Sequence, residues 1–385
     1  MEKLSFQSML TLRNGMHMPV IGYSTERHAE NLQSQMYFFD QAIDIGYRYF
    51  STSYMDRCLI PLRRSIERSG IDRDEFFVSC SVPRRANANI SAYADEIAYD
   101  FGGAIDLLTM SWPYFMTMDL VWNGDPDLPK DANGFRISMQ DIGPEFTRAI
   151  GVCNFDVEHL EALQKNSNFR IMPYTVENQF HPLHTCAPLR QYCKEHGIVF
   201  IQGSEANELV KVQNATYATD VSKNGELWEV DERHIRANQL GIEMNRNGLR
   251  AYYEKEHPEQ LPYASTHSRN AEKSSVDPFD RSNNPREETD FYQHCAPLLT
   301  IGEKYHKDAR QIISRWALQH GAAVLVRGIL RSEMEHGKDI FDFELTEGEM
   351  NRIDSFNMDK RFGFNPNFQD LSLIHISEPT RPISI

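Results

Sequence analysis

The sequence predicts an α/β fold in which about eight parallel strands alternate with helices and close into a barrel. Short apolar runs alternate with amphipathic stretches along most of the chain, a pattern typical of strand–helix–strand units. The number of apolar runs comes to about eight, which favours a closed barrel over an open sheet. A chain of 385 residues, 41% hydrophobic and 25% charged, is long enough for one large globular domain with insertions.

Strands and helices are predicted in order along the chain. The apolar runs that we interpret as strands are Ile45–Phe50, Phe76–Val82, Ile105–Trp112, Ala149–Val152, Tyr174–Val176, Ile198–Ile201 and Ala323–Val326. Helical patterns separate them, such as the one that begins near Asp156 and places Leu160 and Leu163 on one face. Near the end, Thr346 and Glu349 have the spacing of a capping box, which predicts the start of a last helix.

Two stretches interrupt this alternation. Pro113–Pro144 is rich in Asp, Gly, Pro and Asn, and Glu205–Cys295 is far longer than the roughly 2–6 residues that usually connect a strand to a helix. We interpret the longer stretch as a surface elaboration at the mouth of the barrel, and a second folded domain is the alternative. The predicted organisation is a barrel formed by 1–204 and 296–357, an insertion at 205–295, a C-terminal tail at 358–370 and a last segment at 371–385.

The last segment, Leu371–Ile385, does not continue the pattern of the barrel. It resembles translated sequencing-adapter read-through, and we exclude it from the fold for that reason. The natural C-terminus is then expected to be missing.

Charge and cysteine content exclude several classes of protein. The net charge of −15 argues against nucleic acids and anionic membrane surfaces as partners, because like charges repel. No apolar run approaches the roughly 20 residues of a membrane-spanning helix, and the start Met1–Gln7 lacks a secretory signal, so a cytoplasmic protein is expected. The six scattered cysteines form no CxxC pair and indicate free thiols. A proline between His181 and His184 favours a structural role over a helical zinc pair, and no metal site is expected.

Five segments resemble the aldo-keto reductases in order and spacing, over roughly residues 7–357. They are Thr11–Gly22, Ala42–Arg48, Ile105–Pro113, Ala149–Phe155 and Phe341–Thr346. The fourth, Ala-Ile-Gly-Val-Cys-Asn-Phe, is the most specific. The resemblance implies a (β/α)8 TIM barrel of aldo-keto-reductase type with the long insertion at its C-terminal face. It also implies binding of NADP(H) and reduction of a carbonyl group by hydride transfer.

The catalytic positions of the family carry different side chains here. The family reaction uses a tyrosine as general acid, a lysine held by an aspartate to assist it, and a histidine to orient the carbonyl. At the aspartate, lysine and histidine positions this chain has Ser51, Ser81 and Ser111. An ungapped alignment places Asp56 at the tyrosine position, and Tyr54 reaches it only through a two-residue deletion. A serine hydroxyl supplies neither a positive charge nor a proton near pH 7, so we interpret the three serines as polar residues that fill strand ends.

The positions that hold the nicotinamide in the family are partly retained. Asn154 matches the asparagine that binds the carboxamide, whereas Cys153 replaces its serine neighbour. Glu177 replaces a glutamine and adds a negative charge. Gly203 stands where the family has an aromatic ring, which removes the surface on which the nicotinamide stacks.

The positions that face the 2′-phosphate in the family are also changed. Arg327 replaces a lysine, so one basic contact is retained. The serine that follows is Gly328, and a downstream arginine is Glu333, whose negative charge repels a phosphate. Binding of NADP(H) is therefore expected to be weak or lost.

Three functional hypotheses follow from these residues. The preferred one is a non-catalytic relative of the aldo-keto reductases that binds a small-molecule ligand or a protein partner at the barrel mouth and the insertion. An alternative is an active NADPH-dependent aldehyde or ketone oxidoreductase with a rearranged site, which requires Tyr54 to point into the barrel. The third is an NADP(H) sensor that keeps Asn154 and Arg327 and performs no chemistry.

Overall fold

Eight parallel strands form a closed barrel in the computed structural model of the chain. The structure describes residues 3–25, 32–82, 90–113, 122–123, 138–203, 297–328, 331–359 and 361. An antiparallel hairpin, β1 (Met9–Thr11) and β2 (His17–Pro19), precedes the barrel. The barrel strands are β3 (Ile21–Ser24), β4 (Tyr49–Ser53), β5 (Phe77–Val82), β6 (Leu107–Met110), β7 (Ile150–Cys153), β8 (Thr175–Asn178), β9 (Val199–Gln202) and β10 (Ala323–Val326). They pair in sequence order, and β10 pairs with β3 to close the barrel, so the predicted (β/α)8 fold is confirmed.

The hairpin closes one end of the barrel. Leu12 and Met18 are buried in one apolar cluster with Tyr49, Phe77 and Ala323, which are the first residues of their strands. This cluster therefore fills the end of the barrel at which the strands begin. The polar side chains of the strands lie toward the opposite, C-terminal end, where barrels of this kind place their ligands.

Helices surround the strands, and the side chains of Asp308 and Thr346 accept backbone hydrogen bonds at the starts of two of them. They are α1 (Leu32–Ile45), α2 (Leu59–Ser69), α3 (Ile90–Phe101), α4 (Val157–Gln164), α5 (Ala187–Glu195), α6 (Ala309–Gln319), α7 (Arg331–Lys338) and α8 (Glu347–Asp354). The hydroxyl of Thr346 accepts from the backbone N–H of Glu349 at 3.3 Å, and the carboxylate of Glu349 accepts from the backbone N–H of Thr346 at 2.8 Å. The predicted capping box is confirmed, and it satisfies two amide groups that the first turn of α8 leaves unpaired.

One predicted strand has the wrong bounds. The apolar run Ile45–Phe50 was interpreted as a strand, but Ile45 is the last residue of α1 and β4 runs from Tyr49 to Ser53. Gly46, with a φ of 108°, makes the turn between the two elements. Hydrophobicity misled the prediction because the second half of β4 is polar, as expected for residues that line the mouth of a barrel.

A glycine permits the packing of the barrel interior beside β4. A Cβ atom at Gly22 would lie 2.5 Å from Cδ1 of Tyr49 and 2.8 Å from Cδ2 of Leu325. No side chain fits there without displacing the tyrosine ring. Gly22 thus makes room for a tyrosine inside the barrel, and the hydroxyl of Tyr49 becomes part of the site described below.

Both insertions fall mainly outside the described residues. The insertion predicted at 205–295 follows β9, the seventh strand of the barrel, and none of its residues is described. The last segment, 371–385, also lies outside the described residues. Within the described part of the chain, five cysteines are free and buried, in agreement with the expected thiols, and no helix has the length and apolar character to cross a membrane.

Candidate ligand site at the mouth of the barrel

The C-terminal ends of the strands bring the predicted site residues to one end of the barrel. We call this set the mouth, and it consists of Ser51, Ser81, Ser111, Cys153, Asn154, Glu177 and Arg327. Side chains alternate between the two faces of a strand, so residues two apart share a face. Ser51 stands two residues after the interior residue Tyr49. Ser79 and Ser81 stand two and four residues after the interior residue Phe77, so they share its face. The register pairs Cys153 with Glu177 on neighbouring strands.

A buried tyrosine that the sequence analysis missed lies beneath the serines. The Oγ of Ser79 lies 3.3 Å from the Oη of Tyr49, and Ser51 also hydrogen-bonds this hydroxyl. Burial, with a smaller contribution from the negative charge of Glu177, raises the pKa of Tyr49 far above its usual value. The floor of the mouth is therefore a neutral hydroxyl group. The alternation of β4 could have revealed it, because Tyr49 stands two residues before Ser51.

Ser111 and Asn154 join the ends of four strands, β5 to β8. Ser111 donates through its hydroxyl to the backbone carbonyl of Val82 at the end of β5. The side-chain amide of Asn154 donates to the carbonyl of Ser111 at 3.0 Å, and its backbone N–H donates to the carbonyl of Glu177 at 2.8 Å. Asn154 has a φ of 62°, a left-handed conformation that asparagine adopts more readily than most residues. These bonds fix the position of Asn154 at the mouth.

Tyr54 lies on the outside of the barrel. It begins a 3-10 turn, Tyr54–Asp56, directly after β4. Its hydroxyl donates to Oε2 of Glu96 on α3 at 2.7 Å, and its ring packs edge-on against Tyr93 of the same helix. The requirement that Tyr54 point into the barrel is therefore not met. The hydrogen bond to Glu96 also raises the pKa of Tyr54, which makes it a weaker acid.

Glu177 lies beside Gly203, the position at which the resemblance predicts an aromatic ring. A Cβ atom at Gly203 would lie 3.5 Å from Oε1 of Glu177 and 3.2 Å from the carbonyl oxygen of Asn178. The carboxylate of Glu177 therefore occupies space next to Gly203. A side chain at position 203 would be in contact with this carboxylate.

The end of β10 combines one positive and one negative side chain. Burial lowers the pKa of Arg327 to about 10, which leaves its guanidinium charged near neutral pH. A Cβ atom at Gly328 would lie 2.8 Å from Cβ of Glu333, so Glu333 packs directly against this glycine. Tyr23 donates to the carbonyl of Gly328 at 2.6 Å, and burial followed by the charge of Glu333 raises the pKa of Tyr23.

The fold and the mouth together define a class of protein, a (β/α)8 barrel with a candidate ligand site at the C-terminal ends of its strands. The sequence profile of the Aldo/keto reductase family matches residues 20–206. Two related enzymes align along nearly the whole chain, and a solved structure superposes on it. The protein belongs to the aldo-keto reductase family.

The relatives differ considerably in sequence from this chain. The glyoxal reductase of Bacillus subtilis (strain 168) is 25% identical over 367 residues, which cover 94% of this chain and 98% of that protein. The 9,11-endoperoxide prostaglandin H2 reductase of Trypanosoma cruzi (strain CL Brener) is 23% identical over 363 residues, which cover 93% of this chain and 94% of that protein. The aldo-keto reductase of Bombyx mori in complex with NADP superposes with a TM-score of 0.60 at 18% identity, covering 95% of this chain and 98% of that one.

Proposed function

We propose that this protein is a non-catalytic aldo-keto-reductase relative whose mouth binds a small polar molecule. The observation that carries the proposal is the chemistry of the strand ends, where the family reaction needs an aspartate, a lysine and a histidine. The mouth has Ser51, Ser81 and Ser111 at these positions. Three hydroxyl groups provide hydrogen bonds, but they do not exchange a proton with a carbonyl near pH 7.

The placement of Tyr54 supports this proposal over an active reductase. An acid for carbonyl reduction has to reach the substrate oxygen within hydrogen-bond distance. The Tyr54 hydroxyl instead donates to Glu96 on the helical layer. Using it as the acid would require the turn after β4 to leave α3.

The residues at the mouth do not fit NADP(H) at either end of the cofactor. The nicotinamide would lie at Gly203 without a ring to stack on and beside the carboxylate of Glu177. The 2′-phosphate would lie at the end of β10, where Glu333 packs on Gly328. Arg327 is the residue that favours the sensor hypothesis, since it supplies one positive charge for a phosphate. We infer that NADP(H) binding is weak or lost.

The neutral groups of the mouth indicate the kind of ligand. The hydroxyls of Ser51 and Ser81, above the hydroxyl of Tyr49, offer uncharged donors and acceptors, while Glu177 and Arg327 are the charged groups of the mouth. The serine hydroxyls suit a molecule rich in hydroxyl or carbonyl groups. A protein partner that binds the insertion is the alternative to this small-molecule ligand. The proposed location is the cytoplasm, and the net charge of −15 disfavours nucleic acid as a partner.

The experiment that tests the proposal measures cofactor binding and turnover by the full chain. Calorimetric titration with NADPH and NADH is combined with an assay of NADPH oxidation against a panel of aldehydes, ketones and sugars. We expect no binding below about 1 mM cofactor and no turnover. Reduction of any carbonyl compound at the expense of NADPH would overturn the proposal. Micromolar binding of NADPH without turnover would establish the sensor instead.

A further inference from the structure

A short C-terminal segment is fixed on the loop that follows β8. We call this segment the strap, and it consists of residues 355–359 and 361. The backbone N–H of Met358 donates to the carbonyl of Leu183 at 3.1 Å, and the backbone N–H of Thr185 donates to Oδ1 of Asn357 at 3.0 Å. Asp359 adopts a left-handed backbone conformation with a φ of 52°. Residues 355–359 of the strap are therefore fixed by these contacts, and Arg361 stands two positions after Asp359.

Arg361 inserts its guanidinium group between the ends of two barrel strands. Its Nη1 donates to Oδ1 of Asn178 at 3.0 Å, and its Nη2 donates to Oδ1 of Asp156. Only 8% of its side chain is exposed, against 23% for Asp156. Asn178 is the last residue of β8, and Asp156 is the residue from which α4 starts after β7. One arginine from the strap thus connects β7 and β8, with a charge-assisted hydrogen bond to Asp156.

The two partners of Arg361 are directly connected to the mouth. Asp156 follows Asn154 by two residues, and Asn178 follows Glu177 by one. The side chain of Asn178 donates to the carbonyl of Phe155 at 3.0 Å, and its own carbonyl accepts from the N–H of Gly203 at 2.9 Å. Together with the bond from the N–H of Asn154 to Glu177, these contacts form one network. Arg361 lies at its outer edge and away from the interior face of the strands.

We propose that Arg361 is a positioning residue that sets the geometry of Asn154 and Glu177, so that docking of the strap and binding at the mouth are coupled. A guanidinium held between two acceptors fixes their separation in a way that a single-donor contact does not. When the strap detaches, the ends of β7 and β8 lose this connection, and the backbone bond from Asn154 to Glu177 opens more often. The coupling is reciprocal, so a ligand that holds Asn154 in place also favours the docked strap.

The inference relies on the proposed function only in treating the mouth as the ligand site, and its test needs no ligand. The full chain is labelled with nitrogen-15 at asparagine and glycine, and amide hydrogen exchange is followed by NMR. The variants are Arg361→Gln, Arg361→Lys and Asp156→Asn. Asn at position 156 remains a good helix N-cap but loses the negative charge, so the helix is retained. Arg352→Gln, an exposed arginine of α8, is the matched control.

We expect Arg361→Gln to speed exchange at the amides of Asn154 and Gly203 by about tenfold or more, because local opening then controls these two sites. Arg361→Lys and Asp156→Asn give smaller increases, and Arg352→Gln gives none. Unchanged exchange at Asn154 and Gly203 in Arg361→Gln would overturn the proposal. An increase of the same factor at glycines throughout the barrel would also overturn it, since that result shows a general loss of stability and no positioning role. A failure of the proposed function leaves this measurement unaffected.

Discussion

The hydroxyl oxygen of Tyr54 lies 2.7 Å from Oε2 of Glu96, on the helical layer and not in the mouth of the barrel. The same carboxylate pairs with Arg57 at 2.8 Å, and the guanidinium carbon of Arg57 lies 4.5 Å from the centre of the Tyr54 ring. The three side chains form a surface cluster that connects the turn after β4 to α3. Tyr54 therefore has a structural explanation that does not involve catalysis.

Tyr54→Phe should have little effect on function. We expect Tyr54→Phe, like the original chain, to show no NADPH-dependent turnover and its free energy of unfolding to fall by less than about 1 kcal/mol, because the cluster is largely exposed. Urea denaturation and the carbonyl-reduction assay check both statements. Glu96→Gln is the matched control, since it keeps an acceptor for the Tyr54 hydroxyl. Loss of an NADPH-dependent activity in Tyr54→Phe would contradict the structural role.

Glu333→Arg should increase the affinity for NADPH. Glu333 packs on Gly328 at the end of β10, near the retained Arg327, and its charge opposes a phosphate there. Reversal of that charge removes a repulsion and adds a charge-assisted donor, which we expect to improve the dissociation constant by about tenfold or more. Calorimetry measures the change. Glu335→Arg, two residues further along α7, controls for the change in net charge. An equal gain in NADPH affinity in both variants would show that the added positive charge acts nonspecifically. It would contradict the binding of a phosphate beside Gly328.

Asp106→Asn should destabilise the barrel. The carboxylate is 2% exposed and accepts from Arg73 at 2.7 Å, from Arg148 at 3.2 Å and from the backbone N–H of Val78 at 2.8 Å. Burial raises its pKa although two arginines oppose this change. Removing a buried charge from its partners typically costs about 3–5 kcal/mol, and the partial exposure of both arginines reduces the expected loss to about 2 kcal/mol.

Urea denaturation at pH 7 measures the effect of Asp106→Asn. Asp74→Asn is the control, because Asp74 contacts the same Arg148 at 3.0 Å but is 76% exposed. We expect the control to lose less than about 0.5 kcal/mol. Equal losses in the two variants would show that burial of Asp106 does not determine its contribution.

The stability of the protein should decrease as the pH falls from about 6.5 to about 4. Burial, assisted by the charge of Arg361, lowers the pKa of His184 from 6.5 to about 4. His184 is therefore neutral in the folded protein, whereas the unfolded chain takes up a proton near pH 6.5. The contribution of neutral His184 to the free energy of unfolding is complete above pH 6.5, and it is lost as the pH falls toward the pKa of His184 in the folded protein. A change of about 2.5 units in the pKa corresponds to at most about 3.4 kcal/mol.

Urea midpoints measured between pH 7.5 and 4.5 test this dependence on pH. His184→Gln should flatten the curve in that range, and His17→Gln, at an exposed position of β2, should not. Buried His181, whose pKa is also lowered by burial, contributes in the same direction, so the slope decreases without vanishing. A curve for His184→Gln that is as steep as that of the original chain would contradict the assignment.

The alternation of apolar runs and helical patterns predicted the fold because most barrel strands are short segments buried on both faces. Ala323–Val326 was predicted with the bounds that the structure shows, as a fully apolar strand that follows a glycine turn. β4 was misplaced because its second half is polar and Ile45 completes a helix. The capping box at Thr346 was predicted correctly since its two residues contact each other across three positions of the chain.

The site could be predicted only in part. The order of the segments placed Ser51, Ser81 and Ser111 at strand ends, and the structure brings these ends together at the mouth. No local pattern indicates that Tyr54 bonds to Glu96, because the partners are 42 residues apart and belong to different elements.

By itself, the sequence determined the sequential order of strands and helices and the position of Ser51, Ser81 and Ser111 at the strand ends. These properties depend on residue type and on repeats of two residues in strands and of three to four residues in helices. Both kinds of repeat are contained in short stretches of sequence. The tertiary structure alone decided the direction of the Tyr54 side chain, the burial of the Tyr49 hydroxyl and the connection of β7 and β8 by Arg361. Arg361 and Asp156 are 205 residues apart, and the docking of the strap on the loop after β8 brings them within hydrogen-bond distance.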